Sequence, residues 1–320
     1  MLQAVGGGES RQVWRLDLAT MQWETMPALM DTRCDHGCCA VRGGLVVIGG
    51  DMSNADISET FMYREPASVV EMLLVEGEGA FKRQPRLSCG KRVGAVAIAV
   101  DESISAVGQA LLLGGSTEHG DIMSTVVSLV DLASGLCTPQ PDLLHARCQF
   151  AAVRLPDGRL VCAGGSGSNY TTLSSAEVWG PSTQGAEHAA WTWRELPTMS
   201  VVRGGCAGCV LSDGRFAVLG GNEDDGNNDA SLSSCEALTV GHDEQWELLP
   251  PMHEARAFFA CAAVAGSIVV AGGFQRDLTI PSIVLLNSAE VFDEVLSRWL
   301  RLPCDFPFDN GLACMGSALL

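Results

Sequence analysis

The sequence predicts an all-β protein: a six-bladed β-propeller of four-stranded antiparallel blades, closed by the C-terminal strand joining the N-terminal blade. Three observations carry this. Six times a bulky or sulfur-bearing residue stands four positions before a proline, at Trp23/Pro27, Phe81/Pro85, Cys137/Pro141, Trp193/Pro197, Trp246/Pro250 and Trp299/Pro303. Six glycine doublets interleave with these pairs, at Gly7-Gly8, Gly49-Gly50, Gly114-Gly115, Gly164-Gly165, Gly220-Gly221 and Gly272-Gly273, with starts 42 to 65 residues apart. Each unit also divides into four short strand-like segments, and a period near fifty residues with four strands per unit is the signature of a radial array.

The first segment of a unit follows an arginine: Arg33, Arg92, Arg147, Arg203 or Arg256. Small apolar runs come next, such as Val93-GAVAIAV and Ala257-FFACAAV, and suit an inner strand covered on both faces. The second segment is aliphatic and ends in the doublet, as in GRLVCAGG and GSIVVAGG, often after an Asp-Gly or Gly-Gly hairpin turn. The third is typified by Ser175-AEVWG, Ser234-CEALTV and Ser288-AEVFD. The fourth carries the tryptophan and stops at proline, which cannot donate to a ladder. Glycine leaves space for a close neighbour, and the strand-four tryptophan, which buries roughly 150–250 Å², is expected to fill it. Phe81 and Cys137 then make blades 2 and 3 the least well packed.

The chain begins on a second strand, Leu2-QAVGG, and ends on a lone first strand, Gly311-LACMGSALL. Proline-to-arginine spacing is six in four units and seven from Pro85 to Arg92, and Pro303 stands six before Asp309, which takes the arginine's place in the last unit. One propeller over residues 1–320 is therefore expected, with blades near 1–30 plus 309–320, 31–87, 88–143, 144–199, 200–252 and 253–308. Pairing the two ends leaves no open blade edge between them.

Composition bounds the partners. A net charge of −18 argues against nucleic acid, which needs a clustered basic face. No apolar run of about 18 residues is present to span a membrane, and the start MLQAVGGGES lacks the basic and apolar regions of a secretory signal. Thirteen cysteines, an odd number, read as reduced thiols in the cytoplasm. Cys34-Asp-His36-Gly-Cys38-Cys39 looks like a metal cluster, but it lies on a first strand. There Cys38 shares the register of Cys261 and Cys314, and Cys39 that of Cys209, so these are packing positions. The pair Cys206/Cys209 is likewise on a strand, with its thiols turned apart. Asn222-EDDGNND lacks the spacing of a calcium loop. No metal, no cofactor and no catalytic residue is expected.

The combination of arginine, apolar strand, Gly-Gly, Ser-x-Glu strand and Trp-x-x-x-Pro resembles the kelch repeat, over essentially the whole chain. The resemblance implies a scaffold that binds proteins at one face of the ring, formed by the loops after the doublets and the residues leading into the first strands. The BTB domain that joins many such propellers to a cullin ligase is not in this sequence. The loops contribute Arg11, Asp51, His119, Tyr170, Asn222, Phe274 and Arg276 as candidate binding residues. The longest loop, Asp51 to about Ala67, carries Arg64 and Glu65. The strand-lead positions contribute Asp35, Arg92, Gln149 and Phe258, beside Gly205 and Gly311. Arg92 is expected nearer the mouth because of its longer spacing. In some kelch adaptors arginines here grip acidic peptides, and an arginine fork pairs bidentately with a carboxylate. The five motif arginines are expected to hydrogen-bond carbonyls of their own blades. The reading is a non-enzymatic, monomeric protein- or peptide-binding scaffold or adaptor with an acidic partner. The alternative is a small-molecule enzyme, epimerase-like, using His119, Asp121 and Arg92 at the axial mouth.

Overall fold

The computed structural model describes residues 2–7, 10–42, 44–52, 67–74, 79–100, 107–117, 123–181, 190–224, 229–241, 243–277, 283–305, 307 and 312–319. These form six four-stranded antiparallel sheets. Blade 2 runs from axis to rim as Gly37–Val41, Gly44–Ile48, Val70–Leu74 and Lys82–Gln84. Blade 3 is Val96–Val100, Gln109–Leu113, Val127–Asp131 and Cys137–Gln140, and blade 4 is Ala151–Arg154, Leu160–Ala163, Ala176–Pro181 and Trp191–Leu196. Blade 5 is Ala207–Val210, Phe216–Leu219, Cys235–Leu238 and Trp246–Leu249. Blade 6 is Ala260–Val264, Ser267–Ala271, Ala289–Asp293 and Arg298–Arg301. Blade 1 takes its inner strand, Gly316–Leu319, from the C-terminal end and pairs it with Leu2–Gly7, followed by Ser10–Asp17 and Gln22–Met26. Leu2 faces Leu319 and Val5 faces Gly316 in that antiparallel register. The inner strands contact one another in a closed cycle of blades 1 to 6, so the two-ended closure is present. Among the described residues no helix is long and apolar enough to cross a membrane.

Second strands are buried along their length, as in Leu45–Ile48, Leu160–Ala163 and Phe216–Leu219. Aliphatic residues on both strand faces meet the neighbouring blades, which explains the uninterrupted apolar runs. The doublets are tight for a reason other than the expected tryptophan. A Cβ on Gly49, Gly114, Gly164 or Gly220 would stand 2.5–2.6 Å from the carbonyl oxygen of the next blade's motif arginine. Both glycines of each doublet also hold positive φ, where other residues are strained. The tryptophan, at the far end of the outer strand, crosses the seam instead. Trp193, Trp246 and Trp299 donate Nε1–H to the carbonyls of Pro141, Pro197 and Pro250, at 2.9, 2.7 and 2.8 Å. Tryptophan and proline are thus one device that joins consecutive blades. Phe81 at this position in blade 2 is buried.

Two register assignments change. The N-terminal doublet is Gly6-Gly7: Gly7 N–H donates to the Arg33 carbonyl, as Gly50 does to Arg92 and Gly115 to Arg147. The arginine position of blade 1 is held by Leu312, whose carbonyl accepts from Gly273, and Asp309 lies outside the described residues. Proline-based counting slips there because the segment between Pro303 and the last strand is three residues longer than in the four six-residue units.

Candidate functional site: the axial collar and its mouth

Each of the five motif arginines is drawn into its blade, and each of them, like Leu312 in blade 1, is followed two residues later by a residue in left-handed conformation. These six are Asp35, Gly94, Gln149, Gly205, Phe258 and Cys314, with φ between 50 and 64°. Their peptide groups close a ring. Asp35 N–H donates to Cys314 O, Cys314 to Phe258, Phe258 to Gly205, Gly205 to Gln149, Gln149 to Gly94, and Gly94 to Asp35, at 2.7–3.1 Å. Six backbone hydrogen bonds therefore circle the axis, one per blade. The left-handed turn is what aims each amide at its neighbour, and it strains a residue such as Phe258 or Gln149. The ring supplies the compensating bonds.

The collar corrects the strand-lead assignments. Gly94, not Arg92, is blade 3's collar residue, and Cys314, not Gly311, is blade 1's; Gly311 lies outside the described residues. Arg92 sits at the same backbone position as the other motif arginines, since its carbonyl accepts from Gly50. Its side chain is 7 % exposed and its guanidinium donates to the Lys91 carbonyl at 2.9 Å. The seven-residue spacing that set it nearer the mouth is absorbed by a turn at Ser88-Cys89. Cys314 on the collar also leaves the Cys38/Cys261 register, which Ser317 takes in blade 1.

The expected association of loops and strand leads on one face is visible in the backbone. Isolated bridges join Cys34 to Asp51, Val93 to Ser116, Cys148 to Ser166, Gly204 to Asn222 and Ala257 to Phe274. The mouth has two unlike sides. On one, Gln149 Nε2 donates to Asp35 Oδ2 at 2.8 Å. The reach passes over Gly94, where a Cβ would meet the Gln149 side chain at 2.9 Å. On the other, the Phe258 ring lies on Gly205, whose added Cβ would stand 2.4 Å from it. Phe258 stacks on Phe274 at 5.3 Å between centroids and 17° between planes. Leu285 and Cys314 pack with them. Phe274–Gln275 pairs with Val284–Leu285, and Asn222–Asp224 with Asp229–Ser231. The two hairpins are tied by Ser231 N–H to Arg276 O at 3.0 Å and Arg276 N–H to Ser231 Oγ at 2.9 Å. Ser231 Oγ in turn donates to Asn222 Oδ1 at 2.8 Å. Blades 5 and 6 thus raise one wall with an aromatic foot.

The remaining candidates are dispersed. Arg11 is exposed and reaches the Met30 carbonyl at 3.5 Å. Asp51 is buried, Arg276 is exposed, and Tyr170 is exposed on a short 3-10 turn, Ser168–Tyr170. His119, Asp121, Arg64 and Glu65 lie outside the described residues. No group of three metal-ligating side chains occurs among the described residues.

What the sequence reading missed is the partner of the arginines. Arg147 Nη2 meets Glu177 Oε1 at 2.8 Å, Arg203 meets Glu236 at 2.8 Å, Arg256 meets Glu290 at 2.7 Å, and Arg33 pairs with Glu71. Glu177, Glu236 and Glu290 are the glutamates of the Ser-x-Glu strands, whose serines Ser175, Ser234 and Ser288 accept from the same guanidinium, while Glu71 follows Val69-Val70. Arginine Nη1 also donates to the first glycine carbonyl of the doublet, as expected of a blade-holding arginine. Each glutamate further accepts a linker N–H: Met30, Leu144, Ser200 or His253. Burial alone would raise the Glu290 pKa, but the His253 N–H and the Arg256 charge outweigh it and lower it. The repetition of Ser-x-Glu opposite a repeated arginine was the available signal.

The Kelch motif family model matches residues 255–304, the blade 6 unit with Arg256, Gly272-Gly273, Glu290 and Trp299/Pro303 intact. An F-box/kelch-repeat protein of Arabidopsis thaliana is 44% identical over 60 residues, 19% of this chain and 15% of its own length. Kelch-like protein 33 of Homo sapiens is 30% identical over 184 residues, 53% of this chain and 33% of its own. Kelch-like protein 41a of Danio rerio is 23% identical over 181 residues, 55% of this chain and 28% of its own. The chain spans a third or less of the length of these relatives. The solved structure of YjhT superposes with a TM-score of 0.68 at 12% identity, covering 89% of this chain and 94% of that one, a likeness of fold. Four complete arginine–glutamate units, a matched motif and relatives of the same repeat support a place for this chain in the kelch-repeat family.

Proposed function

We propose that this propeller is a non-enzymatic protein-binding module that receives a partner segment on the mouth side of the collar. The observation that carries the reading is the contrast within the ring: six equivalent peptide groups bear six positions with five different residue types. A backbone this uniform with side chains this varied is a scaffold carrying a recognition surface. The Phe258–Phe274 stack offers an apolar shelf, and aromatic anchors dominate such contacts. Asp35 and Gln149 opposite offer a carboxylate and an amide to polar groups of the same segment.

The partner's chemistry follows from this asymmetry. With Arg92 turned into its blade, the loop arginines described for an acidic segment are Arg11 and Arg276, on a chain of net charge −18. We therefore favour a segment with an apolar anchor and at most a local acidic contact over a strongly acidic peptide. We place the module in the cytoplasm, as a monomeric adaptor, a setting that suits thirteen cysteines.

The test is affinity capture with wild-type protein and Phe258→Asn in parallel. Asparagine tolerates the left-handed collar conformation, so the variant keeps the ring and removes the shelf. Captured partners should drop at least tenfold while the melting temperature moves by only a few degrees. An unchanged partner set would overturn the reading.

A further inference from the structure

Blade 3 departs from the others at one seam. Its third-strand position equivalent to the clamp glutamate is Ser128, which pairs with Leu112 as Glu177 does with Cys162. The linker N–H that a glutamate would take, that of Ser88, donates instead to the Gly135 carbonyl at 2.9 Å. Ser88 Oγ accepts the Cys137 N–H at 2.8 Å. The approach is close enough that a Cβ on Gly135 would stand 2.3 Å from the Arg86 carbonyl. The Cys137 thiol reaches the same Gly135 carbonyl at 3.6 Å, and Cys89, the chain neighbour of Ser88, is carried in beside it. Both cysteines are partly exposed and pack on the same apolar cluster.

We propose that Cys89 and Cys137 form a modification site, a dithiol that hydroperoxides convert to an intramolecular disulfide. The Cys137 thiolate attacks one peroxide oxygen. An S–O bond forms, the O–O bond breaks, and the departing hydroxide takes up a proton as water. The sulfur is now a sulfenic acid, oxidised by two electrons. The Cys89 sulfur then attacks it, so that an S–S bond forms, the S–O bond breaks, and the hydroxide leaves with the Cys89 proton as a second water. One peroxide and two thiols give one disulfide and two waters.

The roles are set by environment. The hydrogen bond from the Cys89 thiol, aided by Ser88 and opposed by burial, lowers Cys137 to about 6. The same bond, with burial, raises Cys89. Cys137 is therefore the attacking group and Cys89 the resolving one. Elsewhere burial pushes thiols up, to about 12 at Cys39 and Cys235.

The experiment treats the reduced full chain with hydrogen peroxide, alkylates what remains, and reads each cysteine by peptide mass spectrometry. A Cys89–Cys137 linked peptide should dominate, reversible by dithiothreitol, with Cys304 still alkylated. Cys89→Ser should trap Cys137 as a sulfenic acid that a dimedone tag captures, and Cys137→Ser should leave Cys89 reduced. Independently of any variant, iodoacetamide at pH 6 should label wild-type Cys137 about tenfold faster than an unperturbed thiol, the gain in thiolate exceeding its loss of nucleophilicity. Oxidation that spares the pair, or that links Cys209 and Cys261 equally fast, would overturn the proposal, as would Cys137 labelling no faster than Cys304.

Discussion

Blades 2, 4, 5 and 6 each bury an arginine against a glutamate, whereas blades 1 and 3 do not. In the four clamped blades the guanidinium and carboxylate are almost fully buried, and both also bond backbone groups, with the Nε–H of Arg147 and Arg203 on the glutamate and that of Arg33 and Arg256 left without an acceptor. In blade 1 both members are gone: Leu312 stands for the arginine and Trp14 for the glutamate, and both join one apolar cluster. In blade 3 the arginine remains without its carboxylate, and a serine and two thiols surround the place. A buried ion pair stabilises only as far as its remaining hydrogen bonds are met. The comparison teaches that this unit can be dispensed with as a whole, and that losing half of it calls for local rebuilding. The clamp also ties the linker to the blade, so the unclamped blades need other ties. Blade 1 uses strand pairing with the N-terminal segment, the Gly316 N–H to His36 Nε2 bond at 3.2 Å, and Ser317 bonded to Cys261.

The largest expected effect falls on blade 1, which has no clamp to hold it. Deleting residues 312–320 removes its inner strand and one collar position, and leaves Leu2–Val5 as an open edge. The melting temperature should fall by on the order of 10 °C or more, measured by calorimetry. An unchanged transition would show that closure does not hold blade 1. Next comes Glu236→Ala in blade 5, which strands Arg203 and the Ser200 N–H. Its cost should be about 3–5 kcal/mol by denaturant unfolding. The double variant Arg203→Leu/Glu236→Met imitates the apolar solution of blade 1 and should be less destabilised than Glu236→Ala alone. A double variant that is worse would break the comparison.

His36 tests the blade 1 seam through pH. The position one after the collar residue is Ala95, Phe150, Cys206, Phe259 or Met315 in the other blades, and only here is it a group that can gain a proton in mild acid. Burial, then the Arg33 charge, lowers its pKa to about 3 from 6.5. The folded state holds it neutral, so its contribution is complete above the unfolded value and is lost as pH falls from about 6.5 towards 3. The loss should approach about 1.4 kcal/mol per pH unit within that window. His36→Phe, matching Phe150 and Phe259, should flatten stability between pH 6.5 and 5. A slope equal to wild type would assign the acid sensitivity to the clamp glutamates instead.

The repeat made the blades legible because each unit states the same solution again, so that no single weak motif had to carry the assignment. Closure was legible from the unpaired second strand at one end and first strand at the other. Legibility failed where the repeat is broken by insertion. Three extra residues after Pro303 moved the arginine position from Asp309 to Leu312, and one extra residue before Arg92 pointed towards the mouth when it folds into the Ser88-Cys89 turn. The collar was half legible: Asp35, Gln149, Gly205 and Phe258 were named as strand leads, but nothing in the sequence says that they adopt positive φ. That conformation follows from ring closure, a constraint among six distant segments. The arginine–glutamate pairs were in view as two separate repeats, and only three dimensions join them.

The smallest expected effect sharpens the comparison most directly. Ser128 occupies a glutamate position in blade 3 yet carries no linker N–H, because Ser88 has turned to Gly135. Removing its hydroxyl therefore takes away at most one neutral hydrogen bond and leaves no buried charge uncompensated. Ser128→Ala should cost about 1 kcal/mol, the scale of one neutral hydrogen bond, against several for Glu236→Ala. Ser88→Ala, which withdraws the acceptor of the Cys137 N–H at a more exposed site, should cost no more than that. Denaturant midpoints with equal slopes would compare the three variants on one scale. If Ser128→Ala matched Glu236→Ala, Ser128 would be a clamp in another form, and blade 3 would belong with the other four. If the order holds, the seam at Cys89 and Cys137 is the one place where this ring exchanged a clamp for a thiol pair.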